Sequence, residues 1–424
     1  MKTVMFPYGK EYLKYDIPDS RFKGELVSQI HHYKAEKSQE ELVHDALEHP
    51  VGTPALSVMA EGKKNIVLIA SDHTRPVPSK IIVPQMLAEI RKGSPNADIT
   101  ILVATGCHRE TTHEELENKF GAEIIKWEKI VIHNCDTSEM ASIGKLPSGG
   151  ELVLNKLAVE ADLLVSEGFI EPHFFAGFSG GRKSVFPGLA SRKAVLYNHN
   201  AQFIDHPSSR TGIIEANPIH TDMLYAARMA RLDFICNVIL DADKKVIYAI
   251  AGDCDLAHKT GIEFLLNKCS VAPVMADIVI STNGGYPLDQ NIYQAVKGMT
   301  AAEATVKKGG VIIHLSESGD GHGASEFHKT FAEEKDLNNM LLTFKKTPKE
   351  NTRIDQWESQ ILARVLNHAH VIYISGASDE MISDFHMIPA HSIEQAVKKA
   401  EEILKNPDAS ITVIPDGISV IVSQ

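Results

Sequence analysis

Residues 161–199 read ADLLVSEGFIEPHFFAGFSGGRKSVFPGLASRKAVLYNH. The opening run, Ala161 to Ser166, is short and apolar, as expected of a strand buried on both faces of a parallel sheet. From Glu171 to His199 no amphipathic period survives. Instead there are two histidines, His173 and His199, and a glycine-rich turn in which Lys183 lies between Arg182 and Ser184. Gly177, Gly180 and Gly181 permit positive φ and close backbone approach, and the amides of such a turn suit an anion. A buried strand feeding a polar, glycine-rich loop is typical of open α/β sheets, whose ligands sit beyond the carboxyl ends of the strands.

The same grammar recurs on both sides of this stretch. Strands are predicted at Asn65–Ser71, Asp98–Thr105 and Lys129–His133, with a helix at Lys80–Lys92 and another opening with capping-box chemistry at Thr111 to Glu115. Beyond the helix Leu256–Lys268, strands Ala276–Ser281, Gly310–Leu315, Val371–Ser375 and Ser410–Ile414 alternate with helices Leu288–Lys307, Ile354–Asn367 and Ile393–Lys405. The expected fold class is therefore α/β, with two domains that each hold a mainly parallel sheet flanked by helices, and an active site in the cleft between them. The domains are placed at 1–270, which binds a cofactor, and 271–424, which completes the substrate cleft. For the last strand, packing back onto the first domain stays open. A chain of 424 residues exceeds one ordinary core, in keeping with two domains.

A net charge of −12 disfavours nucleic acid or an anionic membrane as the main partner. No run approaches the roughly 18 apolar residues of a membrane helix. The opening MKTVMFPYGKEYLKYDIP lacks the apolar core of a signal peptide, so a cytoplasmic location is expected. The five cysteines form no C-x-x-C pair, against a disulfide framework or a thiolate metal site.

Three polar clusters lie just past predicted strand ends: Ser71 to Pro76 (SDHTRP), Thr105 to Arg109 (TGCHR) and Glu171-Pro172-His173. They are expected to converge on one crevice. His108 and His173 suit an acid/base pair there, while a lone His199 is as well read as a helix-terminal cation. Arg75, held between Thr74 and Pro76, suits capture of a carboxylate or phosphate, against an ion pair with Asp72 as the plainer reading. The segment Gly177 to Ser184 resembles the phosphate loop G-x-x-x-x-G-K-[ST], but Arg182 stands where the second glycine must precede the lysine. A lysine beside another cation has a lowered pKa and favours covalent attachment of a cofactor. In the second domain Gln290, Gln294 and Lys297 share one helical face beside Tyr293, which is either a solvated stripe or a second carboxylate clamp. Trp357 is either a wall of the cleft or a core aromatic. The loop Gly319–Gly323, with His322 and His328, is the weakest candidate.

Together these motifs resemble the lactate racemase family, which uses a nickel-pincer nucleotide. The resemblance rests on SDHTRP at 71–76, TGCHR at 105–109, EPHFFAGFSGGRKSVFPG at 171–188, YNH at 197–199 and YQAVK at 293–297, and covers the chain in length and motif order. It implies an isomerase interconverting D- and L-lactate. The cofactor, pyridinium-3-thioamide-5-thiocarboxylic acid mononucleotide, would be tethered through a thioamide to Lys183, its nickel bound by the pyridinium ring, two sulfurs and His199. Asp72, Gly180, Gly181, Arg182 and Ser184 would hold the nucleotide. His108 and His173 would be the catalytic acid/base pair, and Arg75, Tyr293, Gln294, Lys297 and Trp357 would meet the substrate. The implied partners are a small 2-hydroxy acid and the enzymes that build the cofactor. The chemistry is coherent: the C2 hydrogen of lactate is only weakly acidic beside an anionic carboxylate, so its removal as hydride, with a histidine taking the hydroxyl proton, is the easier route. Alternatives are a racemase or epimerase of another 2-hydroxy acid, a nucleotide-binding phosphotransferase, a lysine-linked pyridoxal phosphate enzyme, and a non-catalytic nickel or metabolite carrier.

Overall fold

The computed structural model describes residues 1–423. Two six-stranded sheets organise it. The first runs, in spatial order, Val246–Gly252, Leu232–Leu240, Leu163–Phe169, Asn65–Ser71, Asp98–Ala104, Lys129–Ile132. All its neighbours are parallel except the edge pair Val246–Gly252 with Leu232–Leu240. The second runs Ile388–Ala390, His370–Ile374, Val306–Leu315, Ala276–Thr282, Ile411–Ile414, Phe22–Glu25, and is parallel throughout. Continuous apolar runs form the inner strands because helices cover both faces; every residue of Leu163–Phe169 is buried.

The register aligns the functional strand ends. Ser71 pairs with Ala104, and Ile69 with Ser166, so the loops that follow the three strands leave one edge of the first sheet. The helix Ser79–Gly93 follows the first loop. His113–Phe120 follows the second, and its capping box is made by Thr112 with Glu115.

Three features differ from the sequence reading. That reading groups the residues before 30 with the first domain, yet Phe22–Glu25 extends the second sheet beside Ile411–Ile414. The hairpin Lys2–Tyr8 with Glu11–Ile17 turns Val4, Phe6 and Ile17 into the same apolar cluster as Ile278 and Ile280. Second, the helix expected over Leu288–Lys307 spans only Ile292–Glu303. Asn291 caps it by accepting from the Gln294 amide (2.9 Å), and Val306 already belongs to the next strand. Third, the two strands Leu232–Leu240 and Val246–Gly252 are absent from the sequence reading. At the chain end, Ile421–Val422 pairs in parallel with Ser270–Val271, directly after the helix Leu256–Cys269.

The lobes share one apolar cluster, which includes Phe174, Phe175 and Ile204 of the first and Met299, Ile361 and Leu362 of the second. The helix Gln356–His368 docks on the short helix Ala201–Asp205, where Gln360 Nε2 donates to the Ala201 carbonyl at 2.9 Å. This contact fixes how the second lobe faces the first at the end of residues 161–199. Among the described residues no helix is long and apolar enough to cross a membrane.

Candidate active site

The loop after Leu163–Phe169 folds back as a two-residue ladder, Pro172–His173 against Gly177–Phe178, and then makes a single 3-10 turn over Gly181–Ser184. Its glycines are dictated by crowding. Gly180 has φ +73°, and a Cβ there would lie 2.7 Å from the Phe169 carbonyl oxygen and 2.8 Å from Asn237 Oδ1. Gly181, at φ +53°, would drive a Cβ to 2.7 Å from the His258 ring. Its amide donates to Asn237 Oδ1 at 2.7 Å, so this amide serves the turn and not an anion. Ser184 Oγ likewise donates to the Gly181 carbonyl at 2.9 Å.

Arg182 is fully buried. Its guanidinium donates to the Phe178 and Ala176 carbonyls, both at 2.8 Å, and sits at longer range from those of Ser179 and Gly180. The expectation that Arg182 offers its charge to a nucleotide meets a side chain already spent on bracing the loop. The resemblance to a phosphate loop ends here: the arginine in the place of the glycine is the brace.

Lys183 points the other way. Its Nζ lies 3.1 Å from His173 Nε2 and 5.7 Å from the centre of the Phe175 ring. His173 Nδ1 accepts the Ala176 amide at 3.3 Å, so the neutral ring carries its proton on Nε2 and donates it to the lysine nitrogen. The amine must then be neutral. Burial holds Lys183 well below the ordinary lysine range, and the charges of Arg182, Arg75 and Lys297 push further against Glu171. His173 is lowered too, by burial first and then by Lys183, Lys297 and Arg75.

An aromatic wall continues from here across the lobes. His173 meets Phe175 edge-on at 4.5 Å between ring centres, Phe175 meets His199 at 5.2 Å, and His199 meets Trp357 of the second lobe at 5.1 Å. His199 ends the helix Arg192–Asn198, capped by Ser191. Its Nδ1 is buried and finds no hydrogen-bond partner among the described residues. Burial, then Lys183, takes His199 down to about 3, which favours a neutral imidazole with one ring nitrogen able to give a lone pair. This runs against the reading of His199 as a helix-terminal cation.

His108 stands on the neighbouring strand end. Its Nδ1 donates to Asp72 Oδ2 at 2.7 Å, and Asp72 also accepts from Thr74 Oγ1 at 2.6 Å. Asp72 is 1% exposed. Burial alone would raise it, but the His108 contact and charge, with Thr74, outweigh this and bring it to about 2. Asp72 therefore pairs with His108 rather than with Arg75. Arg75 is exposed, and its charge bears on His173, Lys183 and Lys297.

From the second lobe, Lys297 reaches toward the same place, with Nζ 6.0 Å from the Phe174 ring centre. Tyr293 OH donates to Asp355 Oδ1 at 3.2 Å. Gln294 is in the first turn of the helix, whereas Gln290 precedes it, so the expected stripe shrinks to Gln294 and Lys297. His322 and His328 stack at 5.1 Å, with His328 Nε2 3.0 Å from Asp384, and the His322 carbonyl accepts from the Tyr293 amide at 3.3 Å, so this loop packs on the start of the helix that carries Tyr293. Two residues that the sequence reading passes over matter here. Asn237 fixes the glycine turn, and it is legible as the one amide in the apolar run LDFICNVIL. Glu358, next to Trp357, is fully buried, and only its charge within a helix otherwise facing the core could have marked it.

Two α/β lobes that meet around a half-buried lysine, the aromatic wall bearing His173 and His199, and the cations Arg75 and Lys297 define an enzyme whose site is shared between domains. Comparison with known proteins is decisive about which kind. Residues 8–212 match the family model described as the lactate racemase N-terminal domain, and residues 271–422 that of the lactate racemase C-terminal domain. The chain belongs to the lactate racemase family, and so to the isomerases. It is 52% identical to lactate racemases of Thermoanaerobacterium thermosaccharolyticum and Lactiplantibacillus plantarum, covering 100% of both chains in each comparison. The lactate racemase apoprotein structure from the former superposes with a TM-score of 0.96, again over 100% of both chains. A Thermotoga maritima protein shares the fold at a TM-score of 0.64 and 19% identity, over 92% of this chain and 100% of that one.

Proposed function

We propose that the chain interconverts D- and L-lactate, with Lys183 as the covalent anchor of a nickel-pincer nucleotide and His108 and His173 as the groups that take and return the hydroxyl proton. One observation carries the reading: Lys183 Nζ lies 3.1 Å from His173 Nε2, beside the aromatic wall that holds His199, whose Nδ1 has no partner among the described residues. A neutral lysine is the nucleophilic form needed for a covalent bond. An imidazole with a buried, unpaired nitrogen is the form needed by a metal. Among the described residues no three His, Cys, Asp or Glu side chains are grouped to hold a metal, so His199 would serve as a single protein ligand beside donors from the cofactor. When bound, the nucleotide supplies a centre able to accept and return the C2 hydrogen as hydride.

The protein's own part is binding and proton handling. Arg75 and Lys297 attract the substrate carboxylate from opposite lobes, with Gln294 and Tyr293 beside Lys297. His108, its Nδ1 held by Asp72, keeps Nε2 free to accept the hydroxyl proton, a base oriented by a carboxylate. His173, on the other loop, holds its proton on Nε2 and takes the complementary part, giving that proton to the substrate oxygen on the opposite side and recovering it in the reverse direction. Trp357 and Phe175 keep water from His199 and narrow the pocket toward a small 2-hydroxy acid. The nucleotide is proposed to lie against the turn Gly180–Ser184 beside Asp72, with Gly181, Arg182 and Ser184 acting through the turn that they brace and not as donors to it.

The test uses protein made together with cofactor-building enzymes. Conversion of D-lactate to L-lactate, measured by chiral chromatography, should accompany a mass excess on the intact chain and about one nickel per chain. Lys183→Ala should remove all three. Racemisation by the Lys183→Ala protein would overturn the reading.

A further inference from the structure

The strand Leu163–Phe169 carries a carboxyl group that the chemistry above does not use. Glu167 stands inside this strand, 2% exposed, in a run whose every residue is buried. Its Oε1 accepts from both the amide (2.8 Å) and the hydroxyl (2.9 Å) of Ser71, the last residue of the neighbouring strand Asn65–Ser71. The next residue is Asp72, whose Oδ2 receives His108 Nδ1 at 2.7 Å. Asp72 is thus held from both sides along the chain. Downstream, the Thr74 amide and hydroxyl donate to its Oδ1 at 3.1 and 2.6 Å; upstream, Glu167 fixes the residue that Asp72 follows. A carboxyl group in a sheet interior is costly, and an apolar side chain would serve better there if packing were its only task. Glu167 Oε2 has no hydrogen-bond partner among the described residues, and neither does Nζ of the buried Lys119 at the end of the helix His113–Phe120. Burial lowers Lys119, while Glu167 first and then Asp72 act to keep its charge.

We propose that Glu167 is a positioning residue for His108, acting through Ser71 and Asp72: by fixing the strand end it sets the carboxylate that holds Nδ1 and leaves Nε2 free to accept. No proton moves along this chain of contacts. The His108 side chain is 44% exposed, so packing alone does not orient its ring and the Asp72 carboxylate must. What position 167 supplies is an acceptor of the right reach, which a glutamine also has and a methionine of similar size lacks. The role rests on the reading of His108 as the group that takes the hydroxyl proton.

The experiment compares Glu167→Gln with Glu167→Met by two readouts. In the full chain without cofactor, at about pH 9, above the usual histidine range, two-bond proton–nitrogen NMR spectra report which ring nitrogen of His108 carries the proton, its signals identified by their loss in His108→Ala. Wild type and Glu167→Gln should show the proton on Nδ1, and Glu167→Met a mixture of the two tautomers. In the cofactor-loaded enzyme, kcat per chain bearing the Lys183 adduct should stay within about threefold for Glu167→Gln and fall about 10–100-fold for Glu167→Met, with KM for lactate within about threefold in both. Equal behaviour of the two variants in either readout overturns the proposal, because a merely space-filling Glu167 would not distinguish an acceptor from a thioether. In an Asp72→Asn background, Glu167→Met should lower kcat no further; an undiminished further fall also overturns it. Should Glu167→Met not fold, Ser71→Ala decides: losing the hydroxyl bond should mix the His108 tautomers and lower kcat by about three- to tenfold, and wild-type values of both overturn the proposal. Wild-type loaded enzyme that fails to racemise lactate would sink the functional reading instead, whereas the tautomer comparison in unloaded protein stands or falls on Glu167 alone.

Discussion

Gly181 offers the sharpest test of how the loop carrying Lys183 is built. Replacing it with alanine asks an L-residue to sit at φ +53° and to place a methyl 2.7 Å from Cγ and 2.8 Å from Cδ2 of His258. The first demand costs about 1–2 kcal/mol. The second is overpacking, at about 1–3 kcal/mol where neighbours cannot yield. His258 cannot yield cheaply, because it is 1% exposed and its Nε2 donates to the Ser179 carbonyl at 2.7 Å. The expected loss is thus roughly 2–5 kcal/mol, or a fall in Tm of about 7–14 °C at the middle of that range, with about 2–4 °C per kcal/mol for a domain of this size. Gly62 supplies the control. It has a similar φ of +71° and nothing within 4 Å of an added methyl, so Gly62→Ala carries the conformational cost alone. Thermal unfolding of both variants, followed by circular dichroism, isolates the packing contribution by subtraction. Gly181→Ala should also lower the fraction of chains bearing a mass adduct on Lys183, which Gly62→Ala should leave unchanged. Equal melting temperatures for the two variants would refute the claim that His258 crowds this turn.

Asp72 is held at about 2, below its unfolded value, so its charged form stabilises the fold above pH ~4 and that contribution disappears as pH falls toward 2. Urea titrations at pH 5 and pH 2 should therefore show wild type losing roughly 2 kcal/mol more than Asp72→Asn. Lys183 is expected to react as a neutral amine at lower pH than the exposed Lys37, whose partner Asp45 raises it. Competitive acetylation read by peptide mass spectrometry gives both midpoints, and coincident midpoints would contradict the Nε2-to-amine hydrogen bond inferred for His173. His108→Ala should lower kcat by about 10²–10⁴-fold without removing the Lys183 adduct; wild-type turnover would exclude His108 from proton transfer.

What the sequence revealed, and what it hid, divides along a physical line. Strands such as Asn65–Ser71 and Ala276–Thr282 are buried on both faces, so their identity is written in consecutive apolar residues and needs no partner to be recognised. The polar residues just beyond them were legible for the same reason: Asp72, His108 and His173 interrupt a pattern that packing alone would have continued. By contrast, Phe22–Glu25 lies at a sheet edge and alternates between half-buried and exposed residues, so its apolar signal is diluted, whereas Leu232–Leu240 and Val246–Gly252 carry the apolar pattern and the sequence reading passes over them. The direction in which a side chain leaves the backbone is harder still. Arg182 and Lys183 are adjacent cations in one turn, and nothing in their order says that Arg182 turns inward to the Ala176 and Phe178 carbonyls while Lys183 turns out to His173. That division follows from the loop's need to satisfy its own buried carbonyls. A guanidinium can serve several acceptors at once, whereas an ammonium confined among apolar rings sheds its proton. Lysine at 182 and arginine at 183 would reverse both properties, leaving carbonyls bare on one side and a permanent charge against His173 on the other. The order of the two residues is what lets a single turn be rigid and chemically open at once.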